Sequence, residues 1–367
     1  MALAFGERLR VAFAPPRYLA SPLAGIDVST SGVKAVRLVS RSYGLTLAAY
    51  AQVRLPSGAY ADGEILDQAA VVAAVRSAAA SVGAGRVNAA LPEPKSYLFE
   101  ATPQGTEKVQ WRTMIEQHLD EYVPLPAADT TFDVVAAGPA ENGATQVAGV
   151  GFARRVVDQT LATFDQAGVV VRSLESETFA MARSLLPTGD QSTVLIVDVG
   201  KTTTKIAVVE KQIPRFATTV GIGGHALTLA VQKHFGVTEE QARRVKAERG
   251  IVPTDGNEDY LAAMLLTVSA IRDEISRRLV YWQERVAQSA SHEPVSRVLL
   301  AGGNASLRGL PEYLEGVLRI PVTAGDVFTN LASRDVWLPE LDYTESLAYA
   351  TAIGLALRDF VPLHGSV

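Results

Sequence analysis

Asp27 and Asp198 each close an apolar run and open a short stretch of small and hydroxylated residues. The first stretch reads Asp27-Val28-Ser29-Thr30-Ser31-Gly32-Val33-Lys34, and the second Asp198-Val199-Gly200-Lys201-Thr202-Thr203-Thr204-Lys205. A lysine therefore follows each aspartate at the same spacing, and each stretch then continues apolar. Strand, tight turn and strand make a β-hairpin. Turns of Gly, Ser and Thr let backbone N–H groups approach an anion closely and add hydroxyl donors, which suits a phosphate chain. Magnesium takes oxygen ligands, often one or two carboxylates acting directly or through water, a role open to Asp27 and Asp198. Lys34 adds a point charge for a phosphate. One such turn alone reads best as a surface turn with a capping Asp. The same spacing twice, with strands on both sides, reads instead as two related halves that clamp a triphosphate and its metal between them. Gly200-Lys201-Thr202 is like the end of a P-loop, but that pattern needs Gly where Leu195 stands, so it is rejected.

Gly302-Gly303-Asn304 follows the apolar run Val298-Leu299-Leu300-Ala301 and precedes a helical pattern, which makes a third close-approach turn, a platform for a base or ribose. Gly221-Ile222-Gly223-Gly224 is not a dinucleotide fingerprint, because its third glycine comes too early, and reads as a structural turn into a helix.

The elements that must position these turns alternate between strands and helices, so the fold class is α/β. Expected helices run over 67–82, 111–122, 156–167, 177–185, 225–234, 238–248, 260–288, 310–318 and 345–357. Thr238 is the expected N-cap of its helix. In the longest helix, Leu261, Leu265, Val268, Ile271, Ile275, Leu279 and Trp282 step by three or four and predict one buried stripe. Residues 186–192 read as a boundary between the halves.

The chain has 367 residues, which implies about two domains. With 48% hydrophobic and 20% charged residues it has an ordinary globular balance. The net charge is −5 and no Lys/Arg-rich block occurs, which argues against nucleic acid. Cysteine is absent, so disulfides, thiolate metal sites and thiol catalysis are excluded. The five histidines, His118, His225, His234, His292 and His364, form no metal-spaced pair. No stretch reaches the ~18 uncharged apolar residues of a membrane span. Met1 to Phe13 is either a short amphipathic docking helix or a frayed tail, ended by Pro15-Pro16.

These pieces occur in the order of the actin-like ATPase superfamily, and within it the chain resembles the PilM family of type IV pilus assembly proteins. Asn88-Ala89-Ala90-Leu91-Pro92, Glu121-Tyr122-Val123-Pro124-Leu125-Pro126 and Gly302-Gly303-Asn304-Ala305-Ser306-Leu307-Arg308-Gly309-Leu310 resemble more specific stretches of that family. The resemblance covers nearly all of residues 23–358. It implies an actin-like (ribonuclease H-like) two-lobe fold with duplicated nucleotide-binding halves and an FtsA-like inserted subdomain. The implied division is a tail at 1–22, a first lobe from 23–49, 151–186 and 337–367, and an insert at 50–150. The second lobe comes from 187–222 and 296–336, with a helical subdomain at 223–295.

The resemblance further implies ATP with Mg²⁺. Asp27, Ser29, Thr30, Ser31 and Lys34 would hold phosphates, as would Asp198, Gly200, Lys201, Thr202 and Thr203. Gly302, Gly303 and Asn304 would hold the adenosine, and Lys246 is retained beside them. Glu177 matches the acidic residue of the helix linking the lobes, where a polar side chain orients the attacking water. Its alternative is a carboxylate at a helix N-terminus, set against the dipole. Ser29 stands where the family's first hairpin has Gly, and Arg243 where the helix before Lys246 often carries Glu. The implied partner is the short cytoplasmic N-terminal tail of the membrane protein PilN, with the pilus motor or other platform proteins as further candidates. That places the chain in the cytoplasm, peripheral to the inner membrane, as a scaffold with at most slow ATP hydrolysis. The alternatives are an FtsA-like filament protein and a sugar-kinase-type phosphotransferase. Only Arg358 to Val367 follow the closing helix, which argues against the first, and no acceptor-binding segment is found for the second.

Overall fold

The computed structural model describes residues 24–361 and 363, apart from 106, 140–143 and 290. The expectation for Met1 to Phe13 lies outside the described residues. Two five-stranded sheets share one connection pattern. In the first, the order is Val170–Ser176, Arg86–Leu91, Ala24–Ser29, Gly32–Arg41, Gly44–Val53. In the second, it is Val322–Ala324, Arg297–Ala301, Thr193–Val199, Thr204–Glu210, Ile213–Val220. Each begins as an antiparallel three-strand meander and then adds two parallel strands beside its first strand. The register pairs Asp27 with Lys34 and Asp198 with Lys205 across the two hairpins. The repeat seen in the residues is thus a repeat of the fold.

The parallel strands need crossovers, and the two halves build them differently. In the first half the crossover is the helix Gln68–Val82, capped by Asp67, whose side chain accepts from the Ala70 N–H at 3.0 Å, and ended by left-handed Gly83. It buries Val71, Ala74, Val75, Ala78 and Val82 on one face. In the second half the crossover is three helices, Gly224–Phe235, Glu239–Arg249 and Glu258–Gln288. Thr238 caps the middle one in a capping box with Gln241. The long helix buries Tyr260, Met264, Val268, Ile271, Ile275, Leu279 and Trp282. Its stripe begins on Tyr260 and Met264, not Leu261 and Leu265, because the 3.6-residue turn carries those leucines to the flank.

Between the strands Arg86–Leu91 and Val170–Ser176 lies a small inserted unit. It holds a three-stranded sheet, ordered Ser96–Ala101, Thr145–Ala153, Thr130–Pro139, and the helices Lys108–Gln117 and Leu119–Tyr122. Phe99, Trp111, Ile115, Leu119, Phe132 and Val134 form its own core. The insert boundary at residue 50 needs correction. Residues 44–53, 68–82 and 86–91 belong to the first sheet and the helix packed on it, and the extra sheet begins at Ser96.

The linking helix Glu177–Leu185 crosses the closing helix Ala350–Leu357, and one core runs through both, from Val36 and Leu38 on the first sheet to Leu195 and Leu300 on the second. At the crossing, a Cβ on Gly354 would lie 1.8 Å from the Ala180 carbonyl oxygen. Only glycine allows that approach.

The insert is also joined to the second sheet by buried charges. Arg215, at the start of the strand Ile213–Val220, pairs with Glu100 of the insert at 3.0 Å and Glu210 at 3.2 Å, and donates to the Ala137 carbonyl. His292 lies 3.5 Å from Glu100 and 3.3 Å from Glu210, and Arg285 also pairs with Glu100. Hydrogen bonds to Glu100 and then Glu210 outweigh burial and raise His292 to about 9. An unfolded histidine titrates near 6.5. The folded pKa is the higher, so the stabilisation is full below about pH 6.5 and is lost as pH rises through about 9. The thermal midpoint is expected to fall over that window in the native chain and to fall less in His292→Gln, as calorimetry across pH would read.

Candidate functional site

The two hairpin turns and the Gly302-Gly303-Asn304 turn meet at a cleft of about 500 Å³. The walls touch at their tips, where the Thr202 hydroxyl donates to the Thr30 hydroxyl at 3.0 Å. In the first turn, Ser29 Oγ lies 2.9 Å from Ser31 Oγ and donates to the Gly32 carbonyl at 3.1 Å, while Lys34 Nζ donates to Ser31 Oγ at 3.1 Å. In the second, the Gly200 N–H donates to the Thr203 carbonyl at 2.9 Å. Gly302 has φ +88°, and a Cβ there would lie 2.2 Å from Asp198 Oδ1, so only glycine brings the third turn against the second hairpin. A Cβ on Gly303 would meet just the Ala348 methyl at 3.7 Å, which leaves this position open to the cleft.

All the residues expected in the site line this cleft except Thr202 and Glu177. Thr202 holds the opposing hairpin instead. Glu177 is buried and paired with Lys205, so it is not positioned to orient a water in the cleft. Asn304 lines the cleft, but its side chain is engaged. Its Nδ2 donates to the Gly200 carbonyl at 2.9 Å, and its Oδ1 accepts from Lys246 Nζ at 2.8 Å. It therefore ties the third turn to the second hairpin rather than standing free for an adenosine. The Gly221–Gly224 turn, in contrast, does more than end a strand, because Gly224, His225 and Thr228 line the cleft. The helix N-terminus there is not free for an anion, since the Gly224 and His225 N–H groups donate to the Gly200 and Lys201 carbonyls at 2.9 and 2.8 Å.

The cleft carries the opposite charge to the chain. Lys34, Arg54, Lys201, Lys205, Arg243 and Lys246 line it, against the carboxylates of Asp27 and Asp198. Arg243, which replaces an expected acid, pairs with Glu239. Burial, with Arg243 adding, lowers Lys246 to about 8. Burial raises the Asp27 carboxyl above its usual range, with Lys34 the largest opposing influence. Burial also raises Glu177 to about 8, opposed by Lys205 and reinforced by Asp27. Burial pulls the Lys205 ammonium down, but Glu177, Asp198 and Asp27 together hold it well above its usual value. Lys205 ends the second hairpin motif, yet sequence reasoning gave it no role. Its equivalence to Lys34 in the repeat was the available signal.

Magnesium between Asp27 and Asp198 does not fit these groups. Lys205 Nζ contacts Glu177 and lies 3.4 Å from Asp198 Oδ2, so an ammonium already stands at one of the two carboxylates. Asp27 Oδ1 is buried with no hydrogen-bond partner, which leaves one carboxylate oxygen open, but the second carboxylate, Asp198, already faces the Lys205 ammonium. Among the described residues, no three His, Cys, Asp or Glu side chains converge to hold a metal. Nor is any helix among them long and apolar enough to cross a membrane.

Solved structures share this architecture. The PilM-PilN type IV pilus biogenesis complex matches with 20% identity and a TM-score of 0.74, over 92% of this chain and 98% of that one. The ethanolamine utilization protein EutJ from Carboxydothermus hydrogenoformans matches with 18% identity and a TM-score of 0.51, over 94% and 90%. At these identities the likeness establishes the fold, a two-lobed α/β fold of the actin-like kind. Membership comes from the family model for type IV pilus assembly protein PilM, which matches residues 25–360, and by it this chain belongs to the PilM family of actin-like type IV pilus assembly proteins.

Proposed function

We propose that this chain binds ATP in the cleft and acts as a scaffold in type IV pilus assembly, taking the cytoplasmic N-terminal tail of a PilN-type membrane protein and so joining the inner-membrane platform. The observation that carries the nucleotide reading is the charge of the cleft, where six basic side chains gather in a chain of net charge −5. In this reading Ser29, Thr30, Ser31 and Lys34 hold phosphates from one side, and Gly200, Lys201 and Thr203 from the other. The adenosine lies on the open face of Gly303. Glu177 is held by Lys205, which supports reading the site as one for binding with at most slow cleavage. The partner reading is supported by the PilM-PilN complex, whose fold this chain shares, and the small inserted sheet supplies the candidate surface.

A pull-down of the full chain on a synthetic PilN-type N-terminal peptide, run with ATP, with ADP and without nucleotide, tests both parts. Retention is expected, and is expected to be greatest with ATP. Gly302→Val is expected to lose the ATP effect. Absence of peptide binding in all three states would sink the partner reading. Retention unaffected by ATP, with no heat of ATP binding by calorimetry, would sink the nucleotide reading.

A further inference from the structure

We propose that Lys205 is a resident cation of the cleft, and that this chain binds a nucleoside triphosphate without a divalent metal. The inference rests on the ATP reading above. Its first support is position. The Lys205 side chain is 13% exposed, lines the cleft, contacts the Glu177 carboxylate and lies 3.4 Å from Asp198 Oδ2. These carboxylates come from the linking helix and the second hairpin, so the ammonium stands at the junction of the two lobes. A metal ion shared by the same groups would have to displace it.

The second support is donor geometry. An ammonium has three N–H donors. Glu177 and Asp198 lie close enough to engage two of them, and in this proposal the third goes to a phosphate oxygen. A metal bridging protein carboxylate to phosphate has the same task, oxygen on one side and oxygen on the other.

The third support is charge supply. Lys34 and Lys201 stand on opposite hairpins, and Lys246, Arg54 and Arg243 line the same cleft. Together with Lys205 they supply positive charge for a phosphate chain, although Arg243 already pairs with Glu239 and Lys246 with Asn304. Lys205 is itself a product of the internal repeat, since the register that pairs Asp27 with Lys34 pairs Asp198 with Lys205. The copy that gives the first half a phosphate-facing lysine gives the second half its cation.

Calorimetric titration of the full chain with ATP, once in magnesium buffer and once in EDTA, tests the proposal. The dissociation constant is expected to agree between the two buffers within about threefold. A native chain that binds in magnesium but weakens more than about tenfold in EDTA overturns the proposal and leaves the ATP reading standing. A chain that binds in neither buffer overturns both. Lys205→Met is expected to acquire a metal requirement of about tenfold or more, and Lys205→Arg to keep the native independence. Lys205→Met that folds and still binds equally in both buffers overturns the role of Lys205. If Lys205→Met does not fold, the native and Lys205→Arg titrations decide the question alone.

Discussion

Gly354→Ala is expected to destabilise the chain by about 3 kcal/mol or more. The intrinsic preference points the other way, since alanine gains about 1 kcal/mol over glycine inside a helix. The clash decides the sign. The added methyl would lie 1.8 Å from the Ala180 oxygen, 2.4 Å from its carbonyl carbon and 3.0 Å from its Cα. All three are backbone atoms, so no side chain can swing away and the two helices must part. Arg183 draws on the same crossing, donating to the Gly354 carbonyl at 3.1 Å and pairing with Glu175, so its buried bonds shift too. Gly316 supplies the control. It lies on the exposed face of the helix Leu310–Leu318, where a Cβ would meet nothing within 4 Å, so Gly316→Ala is expected to gain about 0.5–1 kcal/mol. Urea midpoints at constant slope would measure both. Equal effects of the two substitutions would show that the crossing tolerates a methyl.

Arg215→Ala is expected to cost about 3–5 kcal/mol, the range for breaking a buried pair from one side. Its side chain is 2% exposed, and its removal leaves Glu100 and Glu210 facing each other with a reduced positive charge. The Ala137 carbonyl loses a donor in the same step. His292 remains between the carboxylates and compensates only in part. Glu100→Gln in the Arg215→Ala background is expected to recover stability, because it removes the stranded charge, and the double-mutant cycle measures that coupling. Proteolysis should localise the damage. Arg215→Ala is expected to expose the insert, residues 96–153, before the two sheets. Uniform loss of protection would place the weakness elsewhere.

The site was legible where chemistry and register coincide. The spacing from Asp27 to Lys34 is that of a hairpin whose ends face each other, and the second copy has the same register. Local signals also located the helix at Glu177–Leu185 and the Thr238 cap. Contacts between distant segments were not legible. Glu177 precedes Lys205 by a whole strand and turn, and nothing in either neighbourhood announces that the two side chains meet. Asn304 looks like a ligand residue because it follows two glycines, yet the fold brings Lys246 and the Gly200 carbonyl to it first. The insert boundary failed for a different reason. The helix Gln68–Val82 is alanine-rich like an insert, but its apolar face belongs to the first sheet, and no change of composition marks the chain's exit at Leu91.

The doubled hairpin has a consequence for direction. A clamp with two equal jaws would accept a linear ligand either way round. Here the jaws share a register but not a chemistry. Lys34 donates to the hydroxyl of its neighbour Ser31, whereas Lys205 is gripped by Glu177 from the linking helix. One jaw's lysine is held within its own turn and the other's by a second element, so head and tail of an asymmetric ligand would meet different partners before any base or sugar is read.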